Sequence, residues 1–262
     1  MKSHYIILGA LAIWPLISKA SDVTINFDVD AYGNPISAPS VISATGPQAT
    51  IPGLQGLEFE GDGSQGGEVV NAVYAGVAAH SGSNVLGFNR SYERSDPELI
   101  IFSQPMSQVS IYVSTGYWSF AWTMQALDAN DNVLDKETAT PPSEGYAPLT
   151  VSSTNGIALV LLTCSLPSND GWGSVTFVCD DLSLTFARPV LQSKQTQQEV
   201  YLYWPTWAGS FVLEGSTNLS PAAAWTPITN GIVTNGNNLV FTNSISNMMT
   251  FYRLRCPSKT VF

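Results

Sequence analysis

The chain has little charge, little histidine and little cysteine, and each scarcity removes a class of function. Charged residues make up only 11% of its 262 residues, against about a quarter in an ordinary soluble domain. Lys and Arg number 10 against 20 Asp and Glu, for a net charge of −10. A chain this acidic is a poor partner for nucleic acid or an anionic membrane surface. Of the two histidines, His4 lies in the first twenty residues, leaving His80 as the one a Ser-His-Asp site would have to use. No G-x-S-x-G elbow accompanies it. The surrounding HSGSN (80–84) reads as a polar turn entering a strand, so His80 is expected to be structural or superficial, and no catalytic residue is assigned. One histidine and three scattered cysteines supply no zinc cluster. After residue 20 no run is long and apolar enough to span a bilayer, and no amphipathic helix of three turns is evident between Asp22 and Ala187.

The first twenty residues follow a different rule. Lys2 gives a short positive segment, Ile6–Ile17 an apolar one, and Ser18-Lys19-Ala20 a small-residue cleavage site before Ser21. This is the pattern of a secretory signal peptide, and no Cys follows it as a lipoprotein would require. Export without a membrane span is therefore expected, to the extracellular space or the cell surface. In such a compartment three cysteines are an odd count. Cys164 and Cys179 flank a turn-rich segment whose sides could pair as a hairpin, so a Cys164–Cys179 disulfide worth about 3 kcal/mol is expected, with Cys256 unpaired; two buried free thiols are the alternative.

What the chain does have is short β-rich runs between turn formers. About ten strand candidates at regular spacing precede residue 187, as a sandwich or jelly roll requires. They include VTINFDV, GLEFEG, EVVNAVY, SNVLGFN, ELIIFSQ, VSIYVST, WSFAWTMQAL, VLDKETA, LTVSS and IALVLLT. The last run, SVTFVCDDLSLTFA (174–187), places Val175, Phe177 and Cys179 on odd positions but Leu182, Leu184 and Phe186 on even ones. A strand of period two keeps one apolar face across that change only if a residue is inserted, so a β-bulge is expected at Asp180-Asp181. Residues 188–198 read as a polar linker, and 199–257 as a second, smaller β module with turns at Asn230-Gly231 and Asn235-Gly236.

In that second module Leu213-Glu214, Ser216-Thr217-Asn218-Leu219, Trp225-Thr226 and Phe251-Tyr252-Arg253-Leu254 resemble the C-terminal fibronectin-III-like module of secreted proteins of environmental bacteria. The resemblance implies a small fibronectin-III/Ig-like β-sandwich serving export and display. Residues 21–187, through Asn26-Phe27-Asp28, GLEFEG, HSGSNVLGFN, ALDANDNVL and CDDLSLTF, resemble exported bacterial jelly-roll domains. These are the galactose-binding-like or carbohydrate-binding-module-like domains, as in proteins with PEP-type sorting tails. The ending YRLRCPSKTVF lacks the hydrophobic helix and Arg cluster of such a tail. The implied architecture is all-β, a jelly-roll-like β-sandwich followed by the smaller one. Related modules often hold a structural calcium, which carried over points to Asp28 and Asp181 with Asp30 and Asp180 as adjuncts. DVDAYG (28–33) and DANDN (128–132) are not EF-hands, since the twelfth position is Pro39 or Ala139.

A glycan ligand would stack on exposed aromatic rings, whose flat apolar faces match sugar C–H faces. Trp118, Phe120 and Trp122 alternate on one strand face, an arrangement typical of a core. Tyr117, after Gly116, and Trp172, between glycines, are the leading ligand residues, followed by Trp118. Glu58 and Glu60, about 6–7 Å apart on one strand face, are the carboxylates a glycosidase would use, though solvent-facing Glu on a strand is commonplace. The expected function is non-enzymatic binding of a polysaccharide or cell-surface glycan. A matrix protein without a discrete ligand, or a polysaccharide hydrolase, is the alternative.

Overall fold

A computed structural model describes residues 23–30, 32–38, 40–41, 57–60, 68–87, 97–117, 119–165, 178–220, 224–245 and 250–255. The leader, Trp118, Trp172 and Cys256 lie outside the described residues. The described chain is nearly all strand and divides into two compact units, one ending at Ala187 and one beginning at Arg188. Among the described residues no helix is long and apolar enough to cross a membrane.

The N-terminal unit contains β1 (Val23–Ile25), β2 (Ser40–Val41), β3 (Leu57–Glu60), β4 (Glu68–Asn71) and β5 (Asn84–Gly87). The long β6 (Glu98–Ser114) follows, then β7 (Trp122–Leu127), β8 (Val133–Ala139), the long β9 (Ala147–Cys164) and β10 (Val178–Phe186). Their antiparallel order is β2-β4-β5-β10-β6-β9-β7-β8, with β1 added to β10 and β3 to β6. Four runs that read as separate strands are two continuous ones, ELIIFSQ with VSIYVST in β6 and LTVSS with IALVLLT in β9. Both change register partway, between Ile101 and Gln108 on β6. The N-terminal part of β6 pairs with β3 and the C-terminal part with β10, so the sheet folds over on itself. Phe59, Ile100, Met124 and Leu162 from one half and Val109, Ile111, Leu149 and Leu182 from the other share one apolar core. This is an all-β sandwich.

The bulge expected at the Asp pair is present. On β10, Asp180 pairs with Tyr112 and Ser183 with Ser110, three residues against two. Asp181 takes the left-handed conformation, φ 48°, that absorbs the extra residue. Cys179 before it and Leu182 and Leu184 after it all face the same core, as the change of periodicity demands.

The disulfide expectation is corrected. β9 and β10 do not form a hairpin, because β6 lies between them in the sheet order. Cys164 and Cys179 are free thiols, Cys179 fully buried. Burial raises Cys164 to about 12 and pushes Cys179 well above the ordinary thiol range, with Glu98 and Asp180 adding to the latter.

The C-terminal unit has β11 (Gln192–Gln195), β12 (Glu199–Pro205), β13 (Val212–Ser216), β14 (Thr226–Pro227), β15 (Ile232–Asn235), β16 (Asn238–Ser244) and β17 (Phe251–Arg255). They form two antiparallel sheets, β11-β12-β16-β15 and β14-β13-β17, around Leu202, Trp204, Leu213 and Tyr252. The linker reading of 188–198 is corrected by β11, which pairs with β12 from Gln192–Tyr203 to Gln195–Val200; in the turn between them the Thr196 hydroxyl accepts from the Gln198 and Glu199 N–H groups. Its side chains are mostly exposed, so it carries no apolar alternation for sequence to reveal.

Candidate functional site

Between β4 and β5 the chain makes an excursion over residues 72–83, and that loop organises the site. EVVNAVY reads as a strand, but the strand stops at Asn71. The Asn71 side chain accepts from the Val73 N–H (3.1 Å) and its carbonyl from the Tyr74 N–H (2.9 Å), which turns the chain out of the sheet. The loop folds back over the outer face of β4, β5 and β10. Ala72, Ala75, Val77 and Ala79 cover Val70, Val85 and Val178 there, beside Tyr146.

Three carboxylates fasten the end of this loop. The Ser81 N–H donates to Asp180 Oδ2 (2.9 Å), and the Ser81 hydroxyl to Asp181 Oδ1 (2.7 Å). His80 Nδ1 donates to Asp181 Oδ2 at 2.6 Å. The His80 ring stacks on Tyr112 with centroids 3.7 Å apart and meets Tyr146 edge-on at 5.4 Å. Asp28 Oδ1 accepts the Ser83 N–H (2.9 Å), the Ser83 hydroxyl (3.1 Å) and the Asn84 N–H (3.1 Å). Buried Asn84 in turn donates to the carbonyls of Phe27 (3.1 Å) and Ile36 (3.2 Å). It thereby holds Phe27 at φ 59°, a conformation a bulky residue rarely adopts. Asp180 is fully buried, and burial raises its carboxyl to about 6 against the opposing hydrogen bonds from Ser81 and Asp181. Tyr146 is raised further, first by burial and then by the charges of Asp180, Cys179 and Asp181.

The four carboxylates expected to hold calcium are engaged by the chain's own donors. Both oxygens of Asp180 and Asp181 accept hydrogen bonds, as does Asp28 Oδ1. Asp28 Oδ2 is buried against Gly82 without a hydrogen-bond partner among the described residues. Asp30 closes its own exposed turn by accepting from the Tyr32 and Asn34 N–H groups and the Asn34 amide. Asp128 closes DANDN the same way, through Asn130 and Asn132. Hydrogen bonds from those Asn side chains lead in holding both carboxyls below their ordinary range. Among the described residues no three His, Cys, Asp or Glu side chains gather as a metal site requires. Of these carboxylates, Asp28 alone keeps a buried oxygen that no donor among the described residues reaches.

The fastened loop presents aromatic surface. Its tip exposes Val73 at 81% and Tyr74 at 84%. Tyr117 is 67% exposed in a turn that lies against the same loop: a Cβ on Gly116 would stand 3.4 Å from Val77. Residues 142–146 complete the cluster. The Ser143 hydroxyl donates to the Tyr117 carbonyl (2.9 Å), the Glu144 N–H to the Gly116 carbonyl (2.7 Å), and the Tyr146 hydroxyl to the Ala78 carbonyl (3.0 Å). Tyr117 therefore stands where a ligand could reach it, whereas Trp118 and Trp172 lie outside the described residues. Phe120 packs against the core and Trp122 is buried in it. Glu58 is exposed between buried Leu57 and Phe59, a solvent face of β3.

Two parts of the site escaped the sequence reading. Tyr74 was hidden because NAVY continues the apolar run of β4. His80 reads as surface by composition, and its role depends on Asp181, 101 residues away.

No protein-family model matches the chain, and no curated protein matches it in sequence. Its backbone is similar to that of an arabinose-bound α-L-arabinofuranosidase, MgGH51, at 12% identity and a TM-score of 0.35, over 64% of this chain and 31% of that one. It is similar to the family 11 carbohydrate-binding module of the cellulosomal cellulase Lic26A-Cel5E of Clostridium thermocellum, at 9% identity and a TM-score of 0.29, over 58% and 96%. A third similarity is to the glycoside hydrolase domain of Endo-D from Streptococcus pneumoniae R6, at 11% identity and a TM-score of 0.28, over 66% and 28%. The chain spans less than a third of the two hydrolase chains. These likenesses concern the fold alone.

Proposed function

We propose that this chain is an exported, non-enzymatic carbohydrate-binding or adhesion protein of the cell surface or extracellular matrix. In this reading its N-terminal sandwich contacts glycan through Tyr74 and Tyr117. The observation that carries the reading is the exposure of these two rings on loops that are themselves fixed. A large aromatic left mostly in water contributes little to packing, and one held on a rigid support loses little entropy when a sugar stacks on it. The leader pattern of residues 1–20 supports export. The C-terminal unit serves in this reading as a fibronectin-III-like display module.

The test is retention of the purified chain on insoluble polysaccharides, together with binding to a glycan array. Wild type is expected to bind at least one glycan, and Tyr74→Ala/Tyr117→Ala to bind it about tenfold more weakly with an unchanged melting temperature. Failure on every glycan would leave a matrix protein without a discrete ligand. Undiminished binding by the folded double variant would remove these rings from the site. Release of reducing ends during incubation would overturn the non-enzymatic part.

A further inference from the structure

The C-terminal unit carries a second surface of this chemical kind, on the outer face of its four-stranded sheet. Along β12, Leu202 and Trp204 turn into the core, so Glu199, Tyr201, Tyr203 and Pro205 turn outward. The register extends that face across the neighbouring strands. Tyr201 is flanked by Lys194 on β11 and Thr242 on β16, while Tyr203 is flanked by Gln192 and Val240. Val240 continues to Val233 on β15, which is 58% exposed. Leu239, Phe241 and Ile232 point the other way, into the core, as alternation requires.

We infer that this face is a binding platform for an extended, neutral polysaccharide, with Tyr201 and Tyr203 as its stacking rings. The two tyrosines lie two residues apart on one strand, about 6.6 Å, the length scale of one sugar unit. Both are partly exposed. The Tyr201 hydroxyl donates to Glu199 Oε2 at 2.5 Å, which fixes that ring. Around the rings stand the amide of Gln192 and the hydroxyl of exposed Thr242, groups that pair with sugar hydroxyls. Charge selects the ligand class. Lys194 and Glu199 balance each other on this face, whereas the whole chain carries −10. A neutral polymer meets no repulsion from the rest of the molecule; an acidic polysaccharide would.

The experiment uses the full chain in a Tyr74→Ala/Tyr117→Ala background, so that it does not depend on the N-terminal site. Retention is measured on cellulose, chitin, xylan and mannan, with polygalacturonate as the acidic comparison. Retention on at least one neutral polymer is expected to persist in that background. Adding Tyr201→Ala/Tyr203→Ala should then lower it about tenfold or more, while Tyr201→Phe/Tyr203→Phe keeps most of it. Circular dichroism and melting temperature identify an unfolded variant, and Thr242→Arg, an exposed substitution beside the rings, then blocks the platform without removing them. Retention on no neutral polymer, preference for polygalacturonate, or retention unchanged by both the tyrosine and Thr242 variants would overturn the inference. A concentration-dependent dimer of the wild type, lost in Tyr201→Ala/Tyr203→Ala, would overturn it in favour of a second copy on this face. Loss of all retention from Tyr74→Ala/Tyr117→Ala alone would overturn the platform but uphold the N-terminal site.

Discussion

Single residues decide whether the 72–83 loop stays down. Gly82 has φ +57°, and a Cβ there would stand 1.7 Å from Asp28 Oδ2. Gly82→Ala is therefore expected to combine left-handed strain of about 1–2 kcal/mol with displacement of the Asp28 carboxylate. A lowered urea midpoint with earlier proteolysis at 72–83 would show it, and an unchanged midpoint would contradict the packing described. Asp180 gives a pH signature. Its carboxyl titrates at about 6 in the folded chain and near 4 in the unfolded one, so between those values the folded state holds the extra proton. Stability contributed by that proton is present below about pH 4 and is lost as pH rises through about 6. Asp30, Asp128 and Glu214 have lowered values and act oppositely: their contribution is present above about pH 4.5 and lost on acidification below it. Urea midpoints should thus fall between pH 5 and 7 in wild type, and Asp180→Asn should flatten that slope. An equal slope in both proteins would assign it to another group.

At the scale of the element, the bulge in β10 joins fold to site. It returns Leu182 and Leu184 to the core that Cys179 faces, and places two successive carboxylates at the loop end. Asp181→Val would put a β-branched residue at φ 48° and remove the acceptors of His80 and Ser81. A loss of about 2–4 kcal/mol by denaturant unfolding is expected. Asp181→Asn, which tolerates the conformation and keeps one acceptor oxygen, should cost roughly half as much or less. Equal losses would mean that the bulge conformation is not the constraint. In the C-terminal unit a buried carboxylate has a comparable fastening role. Burial pushes Glu214 up, but Arg255 and Arg253 overcome it with bonds at 2.6 and 2.8 Å. Arg253 also lies 4.2 Å above the Trp225 ring centre, tying together residues from three of the recurring sequence elements.

At the scale of the whole molecule, neither disulfide nor metal is among the fastenings described. Melting temperature is expected to be the same with and without a thiol reductant. A fall of several degrees with reductant would restore a Cys164–Cys179 bridge, and one with EDTA would place a cation at the carboxylates. Native Cys179 should resist alkylation, because its thiol is buried and held far above neutral pH.

The sequence by itself determined the all-β class, most strand positions and the bulge in β10. Each of these is written in a local period, and a period-two pattern that changes phase has few structural solutions. It also pointed to Tyr117 as a ligand residue and to Asp28, Asp180 and Asp181 as calcium ligands; the structure shows Tyr117 exposed and the three carboxylates bonded to the end of the 72–83 loop. What only the tertiary structure decided was how distant segments meet. Sheet order placed β6 between the two cysteine strands, and the loop between β4 and β5 brought His80 and Ser81 to the Asp pair. The pairing of Tyr201 and Tyr203 with Lys194, Gln192, Thr242 and Val240 likewise came from strand register. Such contacts depend on which strand neighbours which, and no local periodicity carries that choice.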